Sequence, residues 1–334
     1  MKVFRGLPNA QAGAPCALTI GNFDGVHLGH QALLAKVREA ANRLGIDAAV
    51  MTFEPHPREF FSQLTKDPNR APTRIANLRD KLQSLNTAGI DRVIVEHFSL
   101  QFANLSPDDF TKKILVDGLH VKWLMVGNDF CYGAKRAGNV AMLAEAGAKF
   151  GFEMHTLPAV TNQGTRISSS EVRDALAKAD FSHARRLLGH HYSMSGHVIH
   201  GQKLGRTLGF PTLNLRVAHQ RPALLSGIFV VQVHGLTEEP LPAVASLGFR
   251  PTVDRSGRVL LEVHIFDFAQ DCYGKLVRIE FLHKLRDEEK YHDLATLTAA
   301  IMRDAEAARN YFHLNSMLLG RPQADTPTTA TDRI

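Results

Sequence analysis

Two histidines three residues apart, His27 and His30, stand at the start of a predicted helix, behind a loop that carries Gly21, Gly25 and Gly29. On one helical turn they project to the same side, where imidazoles can donate hydrogen bonds to phosphoryl oxygens as charge develops on them. The small residues permit close backbone approach, and the helix start offers free N–H groups and the positive end of its dipole to an anion. That combination suits nucleotidyl transfer. Two alternatives stand beside it: an ordinary loop with solvated histidines, and a metal site built from His27, His30 and Asp24. Helical metal pairs are usually spaced i, i+4, and no further Cys or carboxylate motif supports the second alternative. Neither GxxxxGK[ST] nor GxGxxG occurs in the chain.

Other polar groups fall where a ligand would be held. Asn128 and Asp129 follow the apolar run VKWLMV, at the strand end where open α/β sheets place their crevice; an ordinary Asn-Asp turn is the alternative. Arg166 with Ser168, Ser169 and Ser170 at a helix start offers a guanidinium, hydroxyls and backbone donors for phosphates, although the serines could equally be N-caps. His56 lies between Pro55 and Pro57, which hold it extended at the end of a second strand, where it borders a ligand site or belongs to a structural proline turn.

A second constellation lies in the run from Gly196 to Asn214, which closes on Gly209-Phe210-Pro211-Thr212-Leu213-Asn214. If Thr212 to Leu215 is extended, Thr212 and Asn214 share one face, and with a nucleoside triphosphate present their oxygens can ligate Mg²⁺. Glycine punctuation of a small barrel is the plainer reading. Further on, alternation puts Glu262 and His264 on one face of a strand; a carboxylate there can take a proton from a hydroxyl, or be a solvated strand glutamate.

The elements that position these residues follow from periodicity. Apolar runs at 17–21, 47–53, 91–96, 121–127 and 152–157 alternate with helical patterns at 28–44, 74–88, after Ser106 and Pro107, and at 139–150. Two short helices follow, the second ending on Gly189. This rhythm predicts a parallel sheet covered on both faces. Beyond His190, short alternating runs near 192–200, 227–234, 242–248, 259–266 and 276–282 predict a small all-β barrel or sandwich. A helix is expected from Lys290 to Leu314, packing Leu294, Leu297, Ile301 and Ala305 on the barrel, and then a polar disordered tail over 315–334.

Composition agrees with two globular domains: 334 residues, 44% hydrophobic, exceed what a single average core organises. The net charge of +6 favours phosphate-bearing molecules, but basic residues are scattered and no nucleic-acid-recognition motif appears. Three distant cysteines, Cys16, Cys131 and Cys272, build neither a disulfide framework nor a CxxC site. With no apolar leader and no membrane-length run, a reduced cytoplasmic location is expected.

The stretch GNFDGVHLGH at 21–30 resembles the adenylyltransferase half of the bacterial bifunctional riboflavin kinase/FAD synthetase family. TFEPHP at 52–57, GNDFCYG at 127–133 and RISSS at 166–170 match the same family in order, and the run from Gly196 to Asn214 resembles the loop and PTxN motif of riboflavin kinases. The third member of RISSS is usually Thr and an apolar residue usually stands at Glu171; Tyr291 likewise replaces a commoner Phe. The resemblance implies an α/β + β chain. Its Rossmann-like nucleotidylyltransferase domain would span 1–188, and its riboflavin-kinase-type β-barrel with a following helix 189–314.

It implies that riboflavin is phosphorylated to FMN and FMN adenylylated to FAD, with ATP and Mg²⁺ consumed, ADP and pyrophosphate released, and no tightly bound redox cofactor. ATP would be contacted by Gly21, Asn22, Phe23, Asp24, His27, His30, Arg166, Ser168, Ser169 and Ser170 in the first domain. In the second, Gly201, Lys203, Gly205, Arg206 and Thr212 would contact it. The flavin would be contacted by His56, Asn128, Asp129, Phe130, Asn214, Glu262 and Arg286. Thr212 and Asn214 would hold Mg²⁺, with Glu262 the kinase base and His27 and His30 catalytic in the transferase. A non-catalytic flavin sensor is the reading from another class, and the joint presence of His27, His30, Thr212, Asn214 and Glu262 argues against it. No nucleic acid or membrane partner is expected.

Overall fold

The first strand, β1 (Lys2–Arg5), is mostly exposed and carries no periodicity that announces it; it forms the edge of a sheet by pairing parallel with β4 (Arg92–His97). The remaining strands are β2 (Cys16–Ile20), β3 (Asp47–Glu54), β5 (Val121–Gly127) and β6 (Glu153–Leu157), all parallel, in the order β1-β4-β3-β2-β5-β6. This computed structural model describes residues 1–7, 13–162, 164–201, 209–216, 224–249 and 259–318. It divides the chain into two compact units, Met1–Tyr192 and a second beginning at Ser193.

Every residue of β2 is buried because both faces of the sheet are covered. Ala17 joins a cluster with Leu34, Val37 and Ala41 of α1 (Leu28–Leu44), whereas Leu18 and Ile20 join one with Ile114, Leu115 and Leu143. The chain runs from β2 through β3 to β4 on one side, then returns to β5 and β6 on the other. The strand order therefore reverses between β2 and β5, and a crevice opens at their carboxyl ends.

The further helices of this unit differ from or refine the expectation. α2 (Pro57–Leu64) begins directly after His56, where only an extended segment is expected. α3 (Leu78–Thr87) falls inside the predicted 74–88. After a short turn, α4 (Leu100–Ala103), the predicted helix start at Ser106 is real: its hydroxyl accepts the N–H of Asp109 in α5 (Pro107–Asp109). The chain then widens into π-type turns over Phe110–Gly118. α6 (Val140–Phe150) precedes β6. A two-residue hairpin, β7 (Thr161–Asn162) with β8 (Thr165–Arg166), leads to α7 (Ser169–Ala177) and α8 (Phe181–Leu188), which ends on Gly189 in the left-handed conformation as expected.

The second unit is a closed barrel in the order β10-β13-β12-β11-β14-β9. Its strands are β9 (Ser193–Ile199), β10 (Leu213–Arg216), β11 (Gly227–His234), β12 (Leu241–Phe249), β13 (Val259–Ile265) and β14 (Leu276–Arg286), each antiparallel to its neighbours. Alternate residues such as Leu213, Leu215, Phe229, Leu261, Val263 and Phe281 fill its interior.

The last helix, α9 (Leu294–Leu318), packs Ala305 and Ala308 over Val230, Val244 and Phe266. It starts four residues later than expected because the Asp293 side chain accepts the N–H of Thr296. Leu294, expected against the barrel, is exposed; the contact is made by Ala305, Ala308, Tyr311 and Phe312 and by Asp304. Residues 315–318, expected in the tail, are helical, and 319–334 lie outside the described residues. The three cysteines are unpaired, and burial pushes the Cys16 thiol up to about 12. Among the described residues no helix is long and apolar enough to cross a membrane.

Candidate active sites

Leaving β2, the loop bends through three left-handed residues, Phe23 (φ 47°), Gly25 (φ 81°) and Val26 (φ 40°). Two of them carry side chains for which this conformation is strained, and the strain is held by burying Phe23 completely and Val26 almost so. His27 then caps α1: its Nδ1 accepts the backbone N–H of His30 at 3.3 Å, which leaves the proton of a neutral ring on Nε2. The rings of His27 and His30 stack with centroids 3.7 Å apart. A Cβ on Gly29 would lie 3.2 Å from the His27 ring, so this glycine lets the histidine fold back on its own helix.

Burial brings His27 down to about 4, with Asp24 opposing the shift, and it also lowers His30 well below the usual imidazole range. Both are neutral hydrogen-bonding groups at pH 7. The Nδ1 of His30 and Oδ1 of Asn22 are buried without a partner, an open hydrogen-bonding position in the crevice.

His56 repeats the arrangement. Its Nδ1 accepts the N–H of Arg58 at 3.1 Å as the cap of α2, and Glu59 reaches back to the His56 N–H. Burial brings it to about 4 as well. Beyond it Phe53, Phe60, Phe98 and Phe102 meet in edge-to-face and tilted contacts, a run that continues through Phe110 to Tyr132 and Phe130.

Asp24 and Phe23, expected at ATP, turn inward. The carboxylate of Asp24 accepts the N–H groups of Ile75 and Ala76 and pairs with Arg173 at 2.5 Å. Only the backbone of these two residues is left for a ligand. Ser169 donates to the Asp24 carbonyl at 3.1 Å, tying the loop to the start of α7. Ser168 caps that helix by accepting the N–H of Glu171, the plainer of its two roles, and Ser170 is exposed. Glu171, a departure from the family pattern, meets His183 of α8 at 3.2 Å.

Arg166 and Asp129 form an exposed ion pair at 2.8 Å, which joins the loop after β5 to β8; Asn128 is exposed beside it, and Phe130 is half-buried. The sequence reading missed Arg173, Arg74, which clamps both Glu54 and Glu59, and Lys81. Lys81 does leave a signal, since it interrupts the apolar stripe Leu78, Leu82, Leu85 of α3.

In the barrel, Asn214 lies directly across from Glu262, and Glu262 across from Ser246 on the next strand. Asn214 is buried, and its Oδ1 has no partner. A Cβ on Gly201 would come within 2.4 Å of the Asn214 amide, so that glycine makes the space the side chain occupies. Glu262 and His264 are half-buried on the face opposite Leu261 and Val263, as alternation predicts, and His264 bonds to the Pro211 carbonyl at 2.9 Å.

Thr212 lines a cavity of about 570 Å³ with Phe268, Cys272 and Tyr273. Glu288 lies over Gly248 and 3.5 Å from the Ser246 hydroxyl; burial and the nearby Glu262 raise its pKa. Arg286, expected at the flavin, is committed elsewhere: its guanidinium grips Asp304 of α9 through two bonds of 2.8 and 2.6 Å. Lys203, Gly205 and Arg206 lie outside the described residues.

An oxygen-binding cation fits the barrel site. The unpartnered Asn214 Oδ1 and the Thr212 hydroxyl are hard donors, and few protein ligands are needed where phosphates supply the rest. Among the described residues no cluster of three His, Cys, Asp or Glu side chains forms an all-protein metal cage.

Comparison with known proteins gives a consistent picture. Residues 9–171 match the family described as FAD synthetase, and residues 188–312 that described as riboflavin kinase. A bifunctional riboflavin kinase/FMN adenylyltransferase from Haemophilus influenzae is 45% identical over 94% of this chain and 100% of its own. One of the same name from Escherichia coli K12 is 43% identical over 94% of this chain and 99% of its own. A crystal structure described as a macrolide-efflux protein from Streptococcus pneumoniae superposes with a TM-score of 0.73 at 28% identity, covering 92% of this chain and 99% of that one.

Proposed function

The chain belongs to the bifunctional riboflavin kinase/FMN adenylyltransferase family, and from that premise we propose which residues carry each of its two reactions. It phosphorylates riboflavin to FMN with ATP, and it adenylylates FMN to FAD with release of pyrophosphate. One observation carries the assignment of sites. Three buried side-chain atoms without a hydrogen-bond partner, on Asn22, His30 and Asn214, belong to the loop 21–30 and the barrel motif. A folded chain keeps such atoms unsatisfied at a cost, and ligands satisfy them.

In the first unit, the FMN phosphate attacks the α-phosphate of ATP directly. The loop amides and the neutral rings of His27 and His30 donate to the phosphoryl oxygens, and Arg166 holds the leaving pyrophosphate. Asp24 and Arg173 act from behind by fixing the loop, and Ser169 ties it to α7. His56, Asn128, Asp129 and the aromatic run that ends at Phe130 border the flavin. Arg166 must exchange Asp129 for phosphate, and an exposed pair of this kind is weak enough to permit it.

In the barrel, Glu262 takes the proton from the ribityl 5′-hydroxyl as that oxygen attacks the γ-phosphate of ATP, and Gly201 and Thr212 position the nucleotide. Mg²⁺ bound with ATP would neutralise phosphate charge, held by the oxygens of Thr212 and Asn214. Arg286 contributes by anchoring β14 to α9.

Incubating the protein with riboflavin, ATP and Mg²⁺ and separating the flavins by chromatography tests this assignment. FAD accumulates through FMN if both sites work as described. FMN without FAD, even when FMN is supplied, removes the role given to the first unit, and trapping an adenylylated protein during turnover removes direct attack.

A further inference from the structure

Lys81 is a charged residue where its helix needs an apolar one. It is 5% exposed, in a stripe with Leu78, Leu82 and Leu85 that packs on the sheet. Its ammonium makes one hydrogen bond, to the Thr52 hydroxyl at 3.3 Å, and Thr52 in turn donates to the backbone carbonyl of Asn22 at 3.2 Å. Among the described residues no ion pair neutralises it: Asp24 is committed to Arg173 and two backbone amides, and Glu54 and Glu59 to Arg74. An ammonium has three N–H donors, so two are unused beside a loop whose Asn22 Oδ1 and His30 Nδ1 also lack partners. Burying a cation this way destabilises a fold, and a methylene-rich side chain of similar length would pack without that cost.

We propose that Lys81 is a positioning residue for adenylyl transfer. Through Thr52 it fixes Asn22 in the phosphate-facing loop, and it supplies a standing positive charge beside His30. That charge is needed because burial keeps His27 and His30 neutral, so the histidine pair alone donates hydrogen bonds and carries no net charge toward a triphosphate. Burial lowers the pKa of Lys81 and the field of Asp24 opposes that shift, and the ammonium in turn helps to lower the pKa of the His30 imidazole. Arg173 does not fill this role, since Asp24 neutralises it.

This inference rests on the family reading, and Lys81→Met with Lys81→Arg tests it on the full chain. FAD formation from added FMN and FMN formation from riboflavin are measured separately, with the thermal midpoint of each variant. Lys81→Met is expected to lower kcat for FAD formation about 100-fold, the scale of losing one preorganised electrostatic group. FMN formation should be unchanged, and the thermal midpoint equal to or above that of the unmutated protein. Lys81→Arg, which keeps the charge, should recover at least about a tenth of the lost rate. Two outcomes overturn the proposal: Lys81→Met with an unchanged kcat, or a lowered midpoint with no rescue by arginine, which would make Lys81 a structural residue. Failure of the unmutated protein to make FAD from FMN would instead overturn the family reading, so the two failures are told apart.

Discussion

The imidazole of His27 accepts the backbone N–H of His30 and lies flat against that residue's own ring, 3.7 Å away and tilted by 16°. One contact caps the helix, selects the His27 tautomer and keeps both rings in the crevice. His56 is locked the same way through Arg58, so two histidines on separate elements share one protonation state.

Imidazole ¹⁵N spectra should therefore show His27 and His56 as Nε2–H tautomers with midpoints near 4. Linkage fixes the sign of the effect on stability. Between about 6.5 and 4 the unfolded chain binds protons at these positions and the folded chain does not, so stability falls as pH drops through that window and levels below it. Each group contributes on the order of 3 kcal/mol. Denaturant unfolding at pH 7 and pH 4.5 should show this loss, and His27→Asn should reduce it; a pH-independent midpoint would contradict the burial of both rings.

The two reactions should separate genetically. His30→Ala is expected to slow FAD formation from FMN by roughly 100- to 1,000-fold and leave FMN formation intact. Glu262→Ala should slow FMN formation by about 100- to 10,000-fold, the usual range for a lost general base, and spare FAD formation. Loss of both reactions in either folded variant would end this division of labour.

Gly201→Ala places a methyl group where the Asn214 amide now lies, within 2.4 Å. The side chain can swing away, so the barrel should fold, but a displacement of about 1 Å at such a group costs up to roughly 100-fold in rate. Riboflavin phosphorylation is expected to fall with the thermal midpoint changed by little; an unaffected rate would exclude Asn214 from the site.

Asp304→Ala leaves the Arg286 guanidinium without the carboxylate it grips through two bonds. Breaking a largely buried pair from one side costs about 3 kcal/mol. Urea unfolding of the second unit should show that loss, and adding Arg286→Met should recover part of it. An additive double mutant would mean that the pair does not couple strand to helix.

Local pattern was enough for much of this molecule. The alternation of apolar runs and helical periods determines the parallel sheet and the barrel, because a strand buried on both faces reads as a continuous apolar run and a barrel strand as alternation. The three-residue spacing of His27 and His30, and the period that puts Glu262 opposite Leu261, are likewise properties of one helical turn or one strand. Exposed β1 escaped this logic because nothing about it is apolar enough to announce a partner. α2 escaped because its buried cap, His56, lies between prolines.

Tertiary structure decided what each polar side chain faces. Asp24 stands in the motif but spends its carboxylate on Arg173 and on backbone amides about fifty residues away, and Arg286 spends its guanidinium on Asp304. Lys81 appears in the sequence only as an interruption of an apolar stripe; its closeness to Thr52 comes from folding α3 onto the sheet. Hydrogen bonds and ion pairs act over about 3 Å between residues that may be far apart in the chain, and spacing along the chain carries no record of them.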